Sequence, residues 1–484
     1  MRTPLPIANG FYVSNSLPLS AQECVCWFVH IPEVPALNAE TLRGTPGLYQ
    51  VATSGNSVTD AGRGSRTFKG RLYVVNGPTL FRVNSDNTLT NLGQISGSGR
   101  VSMLNNETQL LIHVPGGDGF IFVDDPDTLT QITDSDFTAN GIPQYPAFVD
   151  GYFVFTTDEK KFIISSLNDG LIYNALDFGS AESSPDGVVA PFIYKNQLFI
   201  GGEYTLEGFT NQGGVDFPFV RSGVFLDQGV FAPFSIAKAK DTTLFIGGAE
   251  NESPSVWALS GNSTEKVSTQ AIDEILTTLT QDDLQAVYSW SYGESGHYFV
   301  GFTLPNTTIV FDVTTGRWHE RKSLIVNALG QTQSIACRVR SFATAYGQLY
   351  VTDSQDGRIG IADNETYKEY DNFIVRVVAT QPFQNNMEPF FVPYLEATVE
   401  SGVGNSDDEN PMMGMQISRD GGKTWSYERA RPIGAQGQYK QRAVWRRNGR
   451  CSRFDVYKFT LSAPVKPVFL QLTADIVGVD DAAA

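Results

Sequence analysis

The chain has 484 residues, 52 acids against 35 Lys or Arg, a formal charge of −17 and an isoelectric point near 4.7. That balance disfavours a general nucleic-acid-binding surface. Four cysteines in so long a chain make no disulfide framework, and no apolar run approaches the roughly 20 residues of a membrane span, so stable membrane insertion is not expected.

Aromatics at 12% and 46 glycines, with few helical periodicities, point to an all-β protein rich in turns. Residues 1–66 carry Pro4, Pro6, Pro18, Pro32, Pro35 and Pro46 and read as an extended arm, part of a ring or platform. The first residues hold no apolar core of secretory length, so synthesis in a reducing cytoplasm is expected. Cys24 and Cys26 lack CxxC spacing and His30 is near them only in sequence, so no zinc site is expected.

From about residue 67 a hairpin unit recurs. Its apolar core appears as LYVVN from Leu72, LLIHV from Leu110, YFVFT from Tyr152 and LFIGG from Leu198. It returns as LFIGG from Leu244, YFVGF from Tyr298 and LYVTD from Leu349. Successive starts lie 38, 42, 46, 46, 54 and 51 residues apart, near the roughly 40–50 of one propeller blade. Most copies are followed by a turn and a second apolar strand, such as TLFRV at Thr79, KFIIS at Lys161 or RIGIA at Arg358. A hairpin cannot bury both faces alone, whereas a ring of blades can, without long exposed edges. The reading is an all-β fold: a β-propeller of six or seven blades over 67–368, followed by a C-terminal β-sandwich over 369–484. A single large β-sandwich is the alternative.

Within the propeller, STQAIDEILTTL from Ser268 reads as a helix with Ser268 as its N-cap, and a second short helix fits Gln281–Leu284. This insertion accounts for the longest interval. Beyond Tyr370 the strands lengthen and alternate, as in FIVRVVATQ, PYLEATVE, MGMQISRD and FDVYKFTLS. The end, Asp480-Asp481 and three alanines, reads as a frayed tail.

Charge is uneven in this last part. Residues 419–458 hold eleven Lys or Arg against three acids, about +8, which leaves about −25 for the rest. Arg442, Arg446, Arg447, Arg450 and Arg453 interleave with Trp445 around a turn at Asn448-Gly449. Arg with Trp is a composition of interface anchors. Trp445, Arg446, Arg447, Arg450 and Arg453 are therefore the candidate interface.

The sharpest local motif is Ser418-Arg419-Asp420-Gly421-Gly422-Lys423-Thr424-Trp425, an Asp-box. Its physics is structural: Asp420 caps turn amides, Gly422 supplies positive φ, and Trp425 packs under the hairpin, with Ser418 and Thr424 completing the turn. Tests for chemistry give less. His113, His297 and His319 are scattered, and no Ser–His–Asp set assembles from spacing. Gly116-Gly117-Asp118-Gly119 lacks the Gly-Lys-Ser/Thr of a phosphate loop. No catalytic, cofactor-binding or metal-binding residue is expected, and the reading is of a non-enzyme.

Several stretches together resemble one family: SGSGRVSM at Ser96–Met103, SPDGVV at Ser184–Val189, SPSVWALSGN at Ser253–Asn262, RAVWRRNGR at Arg442–Arg450 and TPGL at Thr45–Leu48. Together, and in the same order along the chain, they look like the tail hub, or nozzle, proteins of short-tailed phages, also called packaged-DNA stabilisation proteins. The N-terminal arm departs most, at Cys24-Val25-Cys26-Trp27. The resemblance implies a structural virion protein made in the host cytoplasm. It would form a hexameric ring below the connector that holds packaged DNA and conducts it at ejection, without sequence readout. Tailspikes or tail fibres would attach around it, and a needle or tip would plug the distal end. An acidic lumen would limit sticking of the DNA phosphates. The rival readings are a glycan-binding or glycan-cleaving tail protein of propeller fold, which would need paired carboxylates in a cleft, and a monomeric host-surface binder.

Overall fold

In the computed structural model, Lys195 and Asn196 both hold positive φ, 46° and 61°, and fold the strand Val188–Tyr194 back onto Gln197–Gly202. Positive φ at both central residues is the two-residue turn whose twist matches paired strands. Leu206–Asn211 and Phe219–Leu226 extend the sheet to four strands. The structure describes residues 2–34, 38–181, 186–214, 217–327, 329–384, 388–451 and 453–478. Among them this meander recurs to give seven blades. Each of the seven apolar cores read from the sequence is the second strand of its own blade, with Leu198 in the fourth and Leu244 in the fifth.

These second strands read as unbroken apolar runs because both their faces are covered. Leu198, Phe199 and Ile200 are almost wholly buried: Leu198 and Ile200 pack toward Ile164 and Phe162 of blade three, and Phe199 toward Phe245 of blade five. Burying a side chain of this size contributes roughly 1.5–3 kcal/mol, and neighbouring blades repeat the arrangement around the ring.

The ring is closed by the start of the chain. Gly47–Thr53 pairs with Arg358–Asp363 as the outer strand of blade seven, and Gly62–Phe68 is the inner strand of blade one. The expected boundary at residue 66 therefore falls inside blade one, and the arm is not separate from the propeller. Its other strands enter the sandwich. Arg2–Leu5 pairs with Val468–Gly478, and Trp27–His30 with Thr41–Gly44 extends the same sheet. Cys24–Val25 bridges the outer strand of blade six, Arg317–Val326, to Arg376–Ala379 of the sandwich.

The sandwich is thus joined to the propeller rather than tethered to it. One sheet runs on from blade six through Arg376–Ala379, Val456–Leu461 and Met412–Ser418. The other is built on Phe390–Val399 and Val468–Gly478. One buried cluster spans both bodies, from Leu244 and Phe302 of the blades to Trp445, Phe459 and Leu472 of the sandwich.

Two helices feed that cluster. Helix α1 (Gln270–Thr277) buries Ala271, Ile272 and Leu276. Its N-cap is Thr269, one residue after the expected Ser268. The Ser268 hydroxyl instead hydrogen-bonds Asp273 at 2.5 Å and accepts from Val256 N at 3.1 Å, which tethers the helix to blade five. Helix α2 (Gln281–Ala286) begins with a reciprocal capping box between Thr280 and Asp283. The expected tail at Asp480-Asp481 and the first two residues of SPDGVV lie outside the described residues.

Candidate functional site

Of the candidate arginines, Arg446 and Arg450 sit on an edge strand on either side of the expected turn at Asn448-Gly449, Arg447 lies between them and Arg453 follows. Ala443–Arg446 and Arg450–Cys451 both pair with Phe390–Val399, Arg446 opposite Tyr394 and Arg450 opposite Phe391. Arg447, Asn448 and Gly449 face only Val392 and Pro393, so one residue is extra and the edge bulges. Arg447 and Gly449 take up the bulge with φ of 56° and 83°.

The bulge is clamped from behind. Arg419 donates to the Asn448 carbonyl and pairs with the buried Asp455 carboxylate. Arg429 donates to Asn448 Oδ1 at 2.7 Å, and Asn448 Nδ2 donates to the Trp445 carbonyl at 3.1 Å. Burial pushes the Asp455 carboxyl up, and the Arg419 charge opposes that shift.

Trp445 is not part of the exposed face. It is fully buried, meets Phe459 edge-to-face at 5.5 Å and donates Nε1 to the Arg429 carbonyl at 2.6 Å. Strand alternation explains this: Ala443 and Trp445 point into the core, and Arg446 points out. Arg446, Arg447, Arg450 and Arg453 are exposed, and none has an ion-pair partner among the described residues. Arg442 differs: it grips Glu396 through two nitrogens, each at 2.5 Å, and its hydrogen bonds hold the Glu396 carboxyl below its ordinary range. Such an edge of unpaired arginines resists strand addition and presents free positive charge.

The Asp-box is a saturated turn. Asp420 accepts from the Lys423 and Thr424 amides at 2.9 Å, from Thr424 Oγ1 at 2.6 Å and from Ser418 Oγ at 2.7 Å. These bonds hold its carboxyl far below the usual range, led by that from Thr424. Gly422 has φ of 103°, and its amide donates to Ser418 Oγ at 2.7 Å. Trp425 packs with Leu17 and Ala21, so the turn docks the N-terminal segment, and Lys458 Nζ lies 4.0 Å from its ring centre.

The inner strands of the seven blades enclose a cavity of about 740 Å³ whose lining, among the described residues, contains no carboxylate. The described lining residues therefore supply no pair of carboxylates of the kind a glycosidase uses. Three of the four histidines do come together, which spacing could not reveal. His30 Nδ1 lies 3.0 Å from His297 Nε2, His297 Nδ1 lies 2.6 Å from Asp312 Oδ2, and the His319 ring packs on Phe28 and Phe299. No nucleophilic hydroxyl or thiol is hydrogen-bonded to either ring of the His30–His297 pair among the described residues. Within the same described residues, no group of three His, Cys, Asp or Glu has metal-binding geometry.

The profile of the family described as "Bacteriophage P22 Gp10, beta-propeller" matches residues 3–367, and that described as "Bacteriophage P22 Gp10, beta-sandwich" matches 375–477. The chain belongs to the bacteriophage P22 Gp10 family. The propeller profile begins near the start of the chain, in keeping with the closure of blade seven by Gly47–Thr53. The tail hub protein gp10 of Salmonella phage P22 is 22% identical over 438 residues, covering 86% of this chain and 87% of that protein. Among solved structures, the WD40 domain of Neurospora crassa Pan2 aligns with a TM-score of 0.42 and 8% identity, over 68% of this chain and 97% of that one. The N-terminal domain of Nup159 gives 0.41 and 9%, over 71% and 99%. The Gp10-family fold of propeller plus sandwich rests on the strand pairings and the two profiles.

Proposed function

We propose that this chain is the structural tail hub of a short-tailed phage. Six copies of it, the number the family resemblance implies, form a ring below the head-to-tail connector, retain the packaged DNA and conduct it during ejection. The carrying observation is that both Gp10 profiles match in order, over the propeller and the sandwich that the chain folds into. In this reading the N-terminal strands and the sandwich form one platform, because they share a sheet and a core.

The free arginines at 446, 447, 450 and 453 dock that platform onto an acidic neighbour, the connector or the adjacent copy. Tailspikes or fibres and a distal needle or tip take other faces. DNA passes along the ring axis between copies, since a cavity of about 740 Å³ cannot admit a duplex. The role is mechanical and electrostatic and needs no cofactor.

The test is reconstitution. Heads filled without this protein should lose DNA, and purified protein added back should hold it and appear as a ring at the portal vertex by electron microscopy. A protein that stays monomeric beside such heads and leaves leakage unchanged overturns the reading.

A further inference from the structure

The propeller cavity differs from the rest of the chain in charge. Arg66, Arg100, Lys195 and Lys238 line it and, among the described residues, no Asp or Glu does, although the 30 residues at its wall would hold about three carboxylates at the chain's average composition. Its volume, about 740 Å³, lies within the roughly 300–1,000 Å³ of small-molecule sites.

The two mouths are unlike. Arg100 precedes the inner strand of blade two, Ser102–Asn105, and reaches across the ring. It donates to the carbonyls of Arg340 at 3.3 Å and Ser289 at 3.2 Å, and its guanidinium lies 5.1 Å from the Phe234 ring and 5.0 Å from the Tyr288 ring. These contacts join blade two to blades five, six and seven, so Arg100 bars that end. Tyr145 of blade three meets Phe234 edge-to-face at 5.2 Å, narrowing the passage further. Arg100 Nε is buried without a hydrogen-bond partner among the described residues.

At the other end stand Arg66, Lys195 and Lys238, toward the ends of the inner strands of blades one, four and five. Arg66 Nε donates only to the neutral Asn105 side chain, at 2.8 Å, and Lys195 Nζ lies 5.2 Å from the Tyr194 ring. None of the four cations has a carboxylate partner among the described residues. In a body of charge −17, these four cations form a local excess of positive charge.

We propose that this blind cationic cavity binds a compact oligophosphate that enters between Arg66, Lys195 and Lys238. Guanidinium forks match phosphate oxygens two at a time and ammonium groups add point charge. Hydroxyls of Ser65, Ser102 and Ser291 supply further donors at the wall. Burial lowers the pKa of Arg100 to about 9, and a bound anion would offset that cost.

Calorimetric titration of the full chain with tripolyphosphate tests this, with ATP as a parallel probe. Saturable binding that weakens at high salt is expected. Combining Lys195→Asn, which tolerates the positive φ there, with Lys238→Gln should weaken it at least about tenfold. Both side chains are exposed, so the fold should survive, and a thermal melt checks that it does. Arg447→Glu with Arg450→Glu should leave binding unchanged. Equal affinity for the two probes identifies the phosphate chain alone as the ligand, and tighter ATP identifies a nucleotide stacked on the aromatic wall. Absence of saturable heat overturns the proposal, as does wild-type affinity in the Lys195→Asn, Lys238→Gln variant.

Discussion

His30 and His297 share a hydrogen bond of 3.0 Å across the join between the N-terminal strand Trp27–His30 and blade six. Only one of the two facing nitrogens can carry the proton. Burial, with the Arg43 and His297 charges, lowers the pKa of His30. A histidine lowered on folding binds more protons when unfolded, so its stabilisation is complete above about pH 6.5 and is lost as pH falls through its folded pKa. His319 is lowered by burial, and His113 is lowered to about 4. The melting temperature should therefore drop between pH 7 and pH 5. Amide exchange in Trp27–His30 should rise over the same interval, and His30→Gln should remove that local rise while leaving the global trend.

Glu369 acts in the opposite sense. It is buried beside Cys26, Cys337 and Arg321, accepts from Ser323 Oγ at 2.9 Å, and is pushed up to about 7 by burial. A carboxyl raised on folding holds its proton in the native state, so its penalty grows as pH rises from about 4.5 to 7 and stays constant above. Glu369→Gln keeps the acceptor without the charge. It should stabilise the chain at neutral pH by about 3 kcal/mol at most and should have no effect at pH 4.5. Denaturant melts at the two pH values decide it.

Arg338 and Asp353 form a buried pair in blade seven, Nε to Oδ2 at 2.5 Å, with side chains 2% and 0% exposed. Arg338→Met strands a buried carboxylate and should cost about 3–5 kcal/mol. Adding Asp353→Leu should recover most of the loss. A double variant as unstable as the single one would mean that Asp356 and Tyr370, which also contact Arg338, carry the effect.

The arginine edge yields a prediction about assembly. Arg447→Glu with Arg450→Glu changes two exposed side chains on a bulge held by Arg419 and Arg429. The melt should match wild type, whereas docking should fail and heads should leak DNA. If the patch grips DNA instead, the wild-type chain should bind duplex with a steep salt dependence and the variant should still dock.

The repeating unit is legible in the amino-acid pattern. LYVVN, LLIHV, YFVFT, both LFIGG copies, YFVGF and LYVTD each became the second strand of one blade, because their apolar runs and flanking turns are local features. The same pattern also marked the Asp-box, whose hydrogen bonds span only four residues. Tertiary structure alone decided the closure of blade seven, in which Gly47–Thr53 meets Arg358–Asp363, since pairing between strands so far apart leaves no local pattern. The same holds for the meeting of His30 with His297. Trp445 shows a subtler limit. Its basic neighbours suggest a surface, yet one step of strand alternation places it in the core and Arg446 in solvent. Which face of a strand is buried depends on what the fold packs against it, and here that was Phe459 of the opposite sheet.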